Sequence, residues 1–236
     1  MSGTRIALVA ATAVLWIPSP VSADAGAAAG AGQRPETRWA YLLRPATARS
    51  APSLRATALT IVRPATPEGE SNLVRILEER RDGGLRDWAR VDLAIRPNGR
   101  TGWVPRDALG EPRVVRTLLV IERRNLTATL YGSRGIVFRV GIGVGTQRNP
   151  TPGGTFTIRE RLTGFDDPSY GPIAFGTTAR STTLDDWPGG GFVGIHGTDR
   201  PDLIPGRISH GCIRMRNDDI RRLAALLPLG TPVTIR

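Results

Sequence analysis

Residues 192–215 read FVGIHGTDRPDLIPGRISHGCIRM, and this stretch holds the chain's only cysteine, Cys212, together with both of its histidines, His196 and His210. Phe192 to His196 is a short apolar run, the pattern of a buried strand, and it delivers a histidine at its end. His210 stands two residues before the cysteine and His196 stands 16 residues before it. A thiol needs a base, because the thiolate is the attacking species and free cysteine has a pKa of about 8.5. Imidazole is the natural partner. If Cys212 opens a strand, His210 and Cys212 project to the same side with a backbone spacing of roughly 7 Å, too far for direct proton transfer without a bend. A histidine on a neighbouring strand can come within hydrogen-bond reach. His196 is therefore the expected base, and His210 is expected to organise the loop or to contact substrate. Gly211 lets the backbone turn tightly before the nucleophile. Main-chain N–H groups around Gly211 and Cys212 are the expected oxyanion donors. A zinc site on the two histidines and the cysteine would lack a fourth ligand, so covalent chemistry is favoured and neither metal nor cofactor is expected.

The segments around this stretch predict a mainly β domain from about residue 115 to 236. Val114 to Ile121 is almost wholly apolar and reads as one buried strand. Leu126 to Tyr131 and Ile136 to Val144 alternate with period two, and Thr155 to Ile158 reads as a further strand. Gly141, Gly143 and Gly145 lack the spacing of a nucleotide loop and point to close strand packing. Asn217-Asp218-Asp219 reads as a helix start, with a capping side chain and acids near the positive end of the dipole. Ile220, Leu223, Ala224 and Leu227 form its apolar face, Pro228 ends it, and Pro232 to Ile235 is a last strand.

Here the chain resembles the L,D-transpeptidase catalytic domain family. The motifs that carry the resemblance are HGT at His196, SHGCIRM at Ser209, NPTPGGTF from Asn149, YGP at Tyr170 and WPGGG from Trp187. Gly154 stands where the family often has only one glycine. The resemblance implies a β-sandwich-like fold with one or two short helices and a thioester mechanism on peptidoglycan stem peptides. Cys212 would attack the carbonyl of the third stem residue, D-alanine would leave, and a second stem's amine would accept the acyl group in a 3→3 cross-link. The same acyl-enzyme could instead be relieved by water or a D-amino acid. A non-catalytic cell-wall-binding protein that keeps the fold is the alternative of a different class, and the intact His196–Cys212 pair argues against it. By motif match His196 carries the proton, and the Gly197 carbonyl orients the imidazole. Ser209, His210 and Gly211 surround the nucleophile. Arg214 meets either a substrate carboxylate or Asp218 or Asp219, and Tyr170 belongs to a substrate cover. Carbapenem-type inhibitors would acylate the same thiol.

Residues 39–111 form a separate unit in the sequence. Trp88 to Leu93 alternates with period two, Asn98-Gly99 is a hairpin signal, and Thr101-Gly102-Trp103-Val104 follows as another strand. Leu73 to Arg81 has helix-compatible composition but is expected to be a strand. The run through Trp88 and Trp103 resembles bacterial SH3-like domains, small barrels that serve as binding or spacer modules at the cell wall. Trp88 and Trp103 are either ligand-stacking platforms or barrel core.

The N-terminus reads as an export signal: Arg5, an apolar run from Ile6 to Ile17, Pro18 and Pro20, then Val21-Ser22-Ala23, with cleavage expected after Ala23. A retained membrane anchor is the alternative. Residues 24–38 read as a flexible linker. An exported protein with one cysteine has no internal disulfide, so the lone thiol is either a buried apolar residue or a reagent. The expected location is the periplasm or cell wall. The net charge is +11 with no lysine, every basic residue being arginine. Such a charge suits an anionic neighbour such as the wall, and the absence of a basic run argues against nucleic acid.

Overall fold

The computed structural model describes residues 36–83, 86–183 and 188–236. The export signal, most of the linker, Gly84 and Trp187 lie outside the described residues. Strand formation begins at Thr37, two residues before the expected order at Trp39.

Seven strands form the first sheet: β1 Thr37–Tyr41, β2 Ala46–Arg49, β3 Ala58–Val62, β4 Leu73–Arg81, β5 Asp87–Asp92, β6 Thr101–Pro105 and β7 Arg113–Val115. Their order is β3-β2-β6-β5-β4-β1-β7. Leu73 to Arg81 is a strand, as expected, paired antiparallel with β5. Ala89, Val91 and Val104 are fully buried at the centre of this sheet's core. Trp88 is also fully buried, its Nε1 donating to Asp82 Oδ2 at 3.0 Å. Trp103 is buried beneath the Arg80 guanidinium. Burial removes both tryptophans as stacking platforms for a ligand.

Ten strands form the second sheet: β8 Leu118–Glu122, β9 Thr127–Gly132, β10 Gly135–Gly141, β11 Gly143–Gly145, β12 Gly154–Thr163, β13 Ile173–Arg180, β14 Phe192–His196, β15 Gly206–Ser209, β16 Ile213–Arg214 and β17 Pro232–Ile235. Their order is β10-β9-β8-β17-β12-β13-β14-β16-β11-β15. The chain is thus mainly β, as expected. The single strand expected over Val114 to Ile121 is instead two strands in different sheets. Val115 ends β7 beside β1, and Leu118 starts β8 beside β17 and β9. The apolar run continues because each half is buried against a different partner, which the run itself does not reveal.

A short helix, α1, spans Pro188–Gly191, and α2 spans Asn217–Leu226. Ile220 and Leu223 of α2 are fully buried in the core of the second sheet. Burial of two such side chains contributes about 3–6 kcal/mol before entropy is counted. The expected capping by Asn217 is not observed: the N-cap is Arg216, without a side-chain cap bond. Asn217 Oδ1 instead accepts from the Thr198 N–H at 2.9 Å.

The two sheets are joined by buried and polar contacts. A Cβ on Gly230 would fall 2.1 Å from the Trp39 ring, so the indole lies directly on the backbone there. Asn98 donates to the Arg180 carbonyl at 2.8 Å and accepts from the Arg180 N–H at 2.9 Å.

Candidate active site

β14 lies between β13 and β16, and all five of its residues are buried. It pairs parallel with β16, Ile195 opposite Ile213 and His196 opposite Arg214. Cys212 immediately precedes β16, so the same register sets it beside Gly194. Side chains alternate across a strand, so Gly194 and His196 share a face, and Cys212 and Arg214 share it with them. His196 is then the diagonal neighbour of Cys212, within reach of a long side chain. Gly194 keeps the space between them open. A Cβ built there would sit 4.0 Å from both Cys212 Sγ and His196 Cδ2. Its N–H donates to Cys212 Sγ at 3.3 Å.

His196 is 1% exposed, whereas His210 is exposed to solvent. The His196 Nδ1–H donates to the Gly197 carbonyl at 2.7 Å, which leaves Nε2 as the basic nitrogen. Tyr170 covers the imidazole with ring centroids 5.2 Å apart, and Phe165 packs behind Tyr170 at 5.3 Å. Burial pushes the His196 imidazole down to about 4; the Arg214 charge adds to that push, while the Gly197 carbonyl, Asp167 and the Ser169 backbone oppose it. Burial pushes the Cys212 thiol up to about 11, against the Gly194 N–H and the Arg214 charge. The resting pair is therefore neutral thiol and neutral imidazole. Burial also raises the Tyr170 phenol, with the Cys212 and Asp167 charges adding to the effect.

The turn before Cys212 is held by the Ser209 and Thr151 hydroxyls. Gly211 has φ +120°, a conformation L side chains rarely adopt. Ser209 Oγ donates to the Cys212 carbonyl at 2.5 Å and accepts from the Gly211 N–H at 3.1 Å. The Gly211 N–H, expected as an oxyanion donor, is thus directed to Ser209. Thr151 Oγ1 donates to the Gly211 carbonyl at 2.8 Å and accepts from the Gly145 N–H at 2.8 Å. Thr151 lies in the NPTPGG segment, and its role as a brace was not visible in the sequence. Gly145 and Gly143 pack closely, as expected: a Cβ on Gly145 would lie 2.3 Å from the Asn149 carbonyl oxygen.

Arg214 does not meet Asp218 or Asp219, which pair with Arg221 and Arg222. Its Nε is buried with no hydrogen-bond partner among the described residues. Asn217 is the further residue that sequence reasoning missed. By holding the Thr198 N–H it fixes the turn whose Gly197 carbonyl orients His196. Among the described residues no group of three or more His, Cys, Asp or Glu side chains could hold a metal ion. The arrangement places a buried thiol, an oriented imidazole and a guanidinium on one face of a strand pair.

A sequence model of the YkuD family, the L,D-transpeptidase catalytic domain, matches residues 116–235. The YkuD protein of Bacillus licheniformis is 32% identical over 124 residues, covering 52% of this chain and 68% of that protein. The YkuD protein of Bacillus subtilis is 34% identical over 129 residues, covering 54% of this chain and 70% of that protein. Among solved structures, a cysteine-to-serine mutant of the Enterococcus faecium L,D-transpeptidase matches at 23% identity with a TM-score of 0.39, covering 51% of this chain and 49% of that one.

Proposed function

The chain belongs to the L,D-transpeptidase catalytic domain family, and on that premise we propose that it transfers acyl groups between peptidoglycan stem peptides through a thioester on Cys212. The observation that carries this reading is the shared face of β14 and β16, which presents Cys212, Gly194, His196 and Arg214 together.

In the proposed reaction Cys212 Sγ attacks the carbonyl of the third stem residue. His196 Nε2 takes the thiol proton as the S–C bond forms. The negative charge passes to the carbonyl oxygen, with the Cys212 main-chain N–H as donor. Collapse of the tetrahedral intermediate breaks the C–N bond, and the imidazolium returns the proton to the departing D-alanine amine. The amine of a second stem then attacks the thioester and gives up a proton to His196, forming a 3→3 cross-link and regenerating the thiol. Gly197 holds the imidazole in the required tautomer, the place a carboxylate takes in a serine triad. Arg214 receives a substrate carboxylate, Tyr170 covers the bound stem, and His210 contacts substrate at the rim.

The proposal extends to the rest of the chain. Residues 39–111 are an SH3-like module that spaces or holds the catalytic domain at the wall. Residues 1–23 export the protein to the periplasm or cell wall. Carbapenems acylate the same thiol, because an activated carbonyl meets the same nucleophile.

The test is intact-protein mass spectrometry after incubation with stem tetrapeptides, followed by analysis of the muropeptide products. The expected result is an acyl adduct on Cys212 and 3→3 cross-linked dimers. An adduct with only tripeptide products assigns water as the acceptor, and no adduct overturns the reading.

A further inference from the structure

A cavity of about 170 Å³ is lined in part by Gly194, His196 and Tyr170, and the Gly194 N–H bonds Cys212 Sγ. Its walls are apolar: Leu162, Phe175, Phe192 and Val193. Two carboxylates also line it, Glu160 from β12 and Glu68 from the segment between β3 and β4 of the first sheet. One guanidinium bonds both, and a second, Arg180, lies over the Phe192 ring at 4.2 Å. Arg159 Nη2 bonds Glu68 Oε2 at 3.1 Å and also bonds Glu160 Oε1, while Arg159 Nε bonds Glu160 Oε1 at 3.2 Å. Phe192 packs against the guanidinium face at 3.9 Å.

Two carboxyls share this cation. Glu160 is 2% exposed, and its Oε2 has no hydrogen-bond partner among the described residues. Burial raises the Glu68 carboxyl, the Glu160 charge raises it further, Arg159 pulls it back, and a hydrogen bond with the Glu160 side chain adds to the rise. The pair therefore favours holding a proton between its carboxyls, because a charge without a partner is costly where water is excluded. Gly176 on β13 is shaped to this purpose: a Cβ there would fall 2.2 Å from Glu160 Oε1, so only glycine admits the carboxylate.

We propose that this cavity is the subsite for an aliphatic primary ammonium of the peptide substrate, its methylenes against Phe175 and Phe192 and its ammonium on Glu160 and Glu68. The proposal rests on the transpeptidase reading above. An ammonium brings three N–H donors and one positive charge, so it can take the place of the proton the two carboxyls would otherwise share and can reach Glu160 Oε2. A divalent metal stripped of its water would need about six or more oxygen ligands, and the apolar walls add none to the two carboxyls. Gly194, which lines the cavity, bonds Cys212 Sγ through its N–H, so a side chain seated there carries its own carbonyl to the sulfur. Such an amine sits on the third residue of the donor stem. Glu68 lies in the segment between β3 and β4, so the first module completes the subsite.

The test uses the full chain and two donor tetrapeptides that differ only at the third residue, one with lysine and one with Nε-acetyl-lysine. D-alanine release and the acyl adduct are followed. KM for acylation is expected to be about tenfold or more lower for lysine than for acetyl-lysine. Glu160→Gln and Glu68→Gln bring that discrimination toward one, and Glu68→Gln serves if the buried Glu160 variant misfolds. Equal KM values for both donors in the wild type overturn the subsite while an adduct still forms. Absence of any adduct, with carbapenem included, overturns the transpeptidase reading instead.

Discussion

The resting state of the Cys212–His196 pair can be tested without substrate. Values of about 11 for the thiol and about 4 for the imidazole favour the proton on sulfur by about seven powers of ten. At pH 7 the thiolate fraction is then about one in ten thousand, against about 3% for a free cysteine with a pKa near 8.5. The perturbation is pH, and the assay is alkylation of the full chain by iodoacetamide, read by mass spectrometry at Cys212. The rate is expected to rise about tenfold per pH unit from pH 6 to about pH 10, with no plateau. At pH 7 it should be about 300-fold or more slower than for a short cysteine peptide, from the thiolate fraction alone. His196→Ala should not lower this substrate-free rate. A flat, fast rate between pH 6 and 9 that disappears in His196→Ala would mean a thiolate–imidazolium pair at rest, and would refute the reasoning.

Other consequences follow from the same geometry. Cys212→Ala should keep the far-ultraviolet circular dichroism and melting temperature of the wild type but form no adduct with tetrapeptide or carbapenem; normal turnover would remove the nucleophile assignment. His196→Ala should cost about 10²-fold or more in kcat, the range of a lost general base, whereas His210→Ala should cost less; equal or reversed losses would overturn the choice of base. Gly194→Ala should fold, since its nearest new neighbour is the Phe175 carbonyl oxygen at 3.6 Å, yet lose kcat because the methyl lies between Sγ and the imidazole; unchanged kcat would contradict the facing arrangement. For stability, the His196 value of about 4 lies below the ordinary 6.5, so the unfolded chain takes up the proton first as pH falls. The contribution is complete above pH 6.5 and is lost as the pH drops toward 4, about 2 kcal/mol of it between pH 7 and 5. Urea titration of wild type and His196→Gln at both values checks it, and an equal acid loss in the two proteins would deny His196 that role.

The parts of the site legible in the sequence are those written locally. Phe192–His196 showed as an apolar run because β14 is buried throughout, and α2 showed its face because Ile220, Leu223 and Ala224 repeat at helical spacing. The choice of His196 over His210 also came from local geometry, since two residues along a strand separate side chains that a neighbouring strand can bring together. The remainder depends on contacts across long sequence separations. Asn217 looked like a cap because Asn before two acids usually is one, yet its oxygen is taken by Thr198, 19 residues earlier. Glu160 and Glu68 are 92 residues apart, and nothing in the local sequence marks them as partners of one guanidinium. The apolar run through Val114 and Ile121 concealed the passage from one sheet to the other, because both sheets bury apolar residues and hydropathy does not record which neighbour does the burying.

A lone cysteine proposed as the nucleophile of an exported protein faces two opposed demands: it must survive oxidants and it must attack a carbonyl. Oxidation and attack both proceed through the thiolate, so a permanently lowered pKa would serve the second demand at the expense of the first. The structure does the reverse, since burial raises the thiol and lowers its base. Under the proposed mechanism the pair is not required to ionise first. If the proton moves to His196 while the S–C bond forms, the negative charge goes to the carbonyl oxygen and does not accumulate on sulfur. The low-dielectric surroundings that hold the thiol protonated also strengthen the fields of the Gly194 N–H and Arg214, which favour the anion. Burial thus protects the nucleophile while no carbonyl is present and supports charge transfer once one is bound. That account requires the substrate to supply the missing drive, so the thiol should react with an activated acyl donor faster than its slow alkylation would suggest.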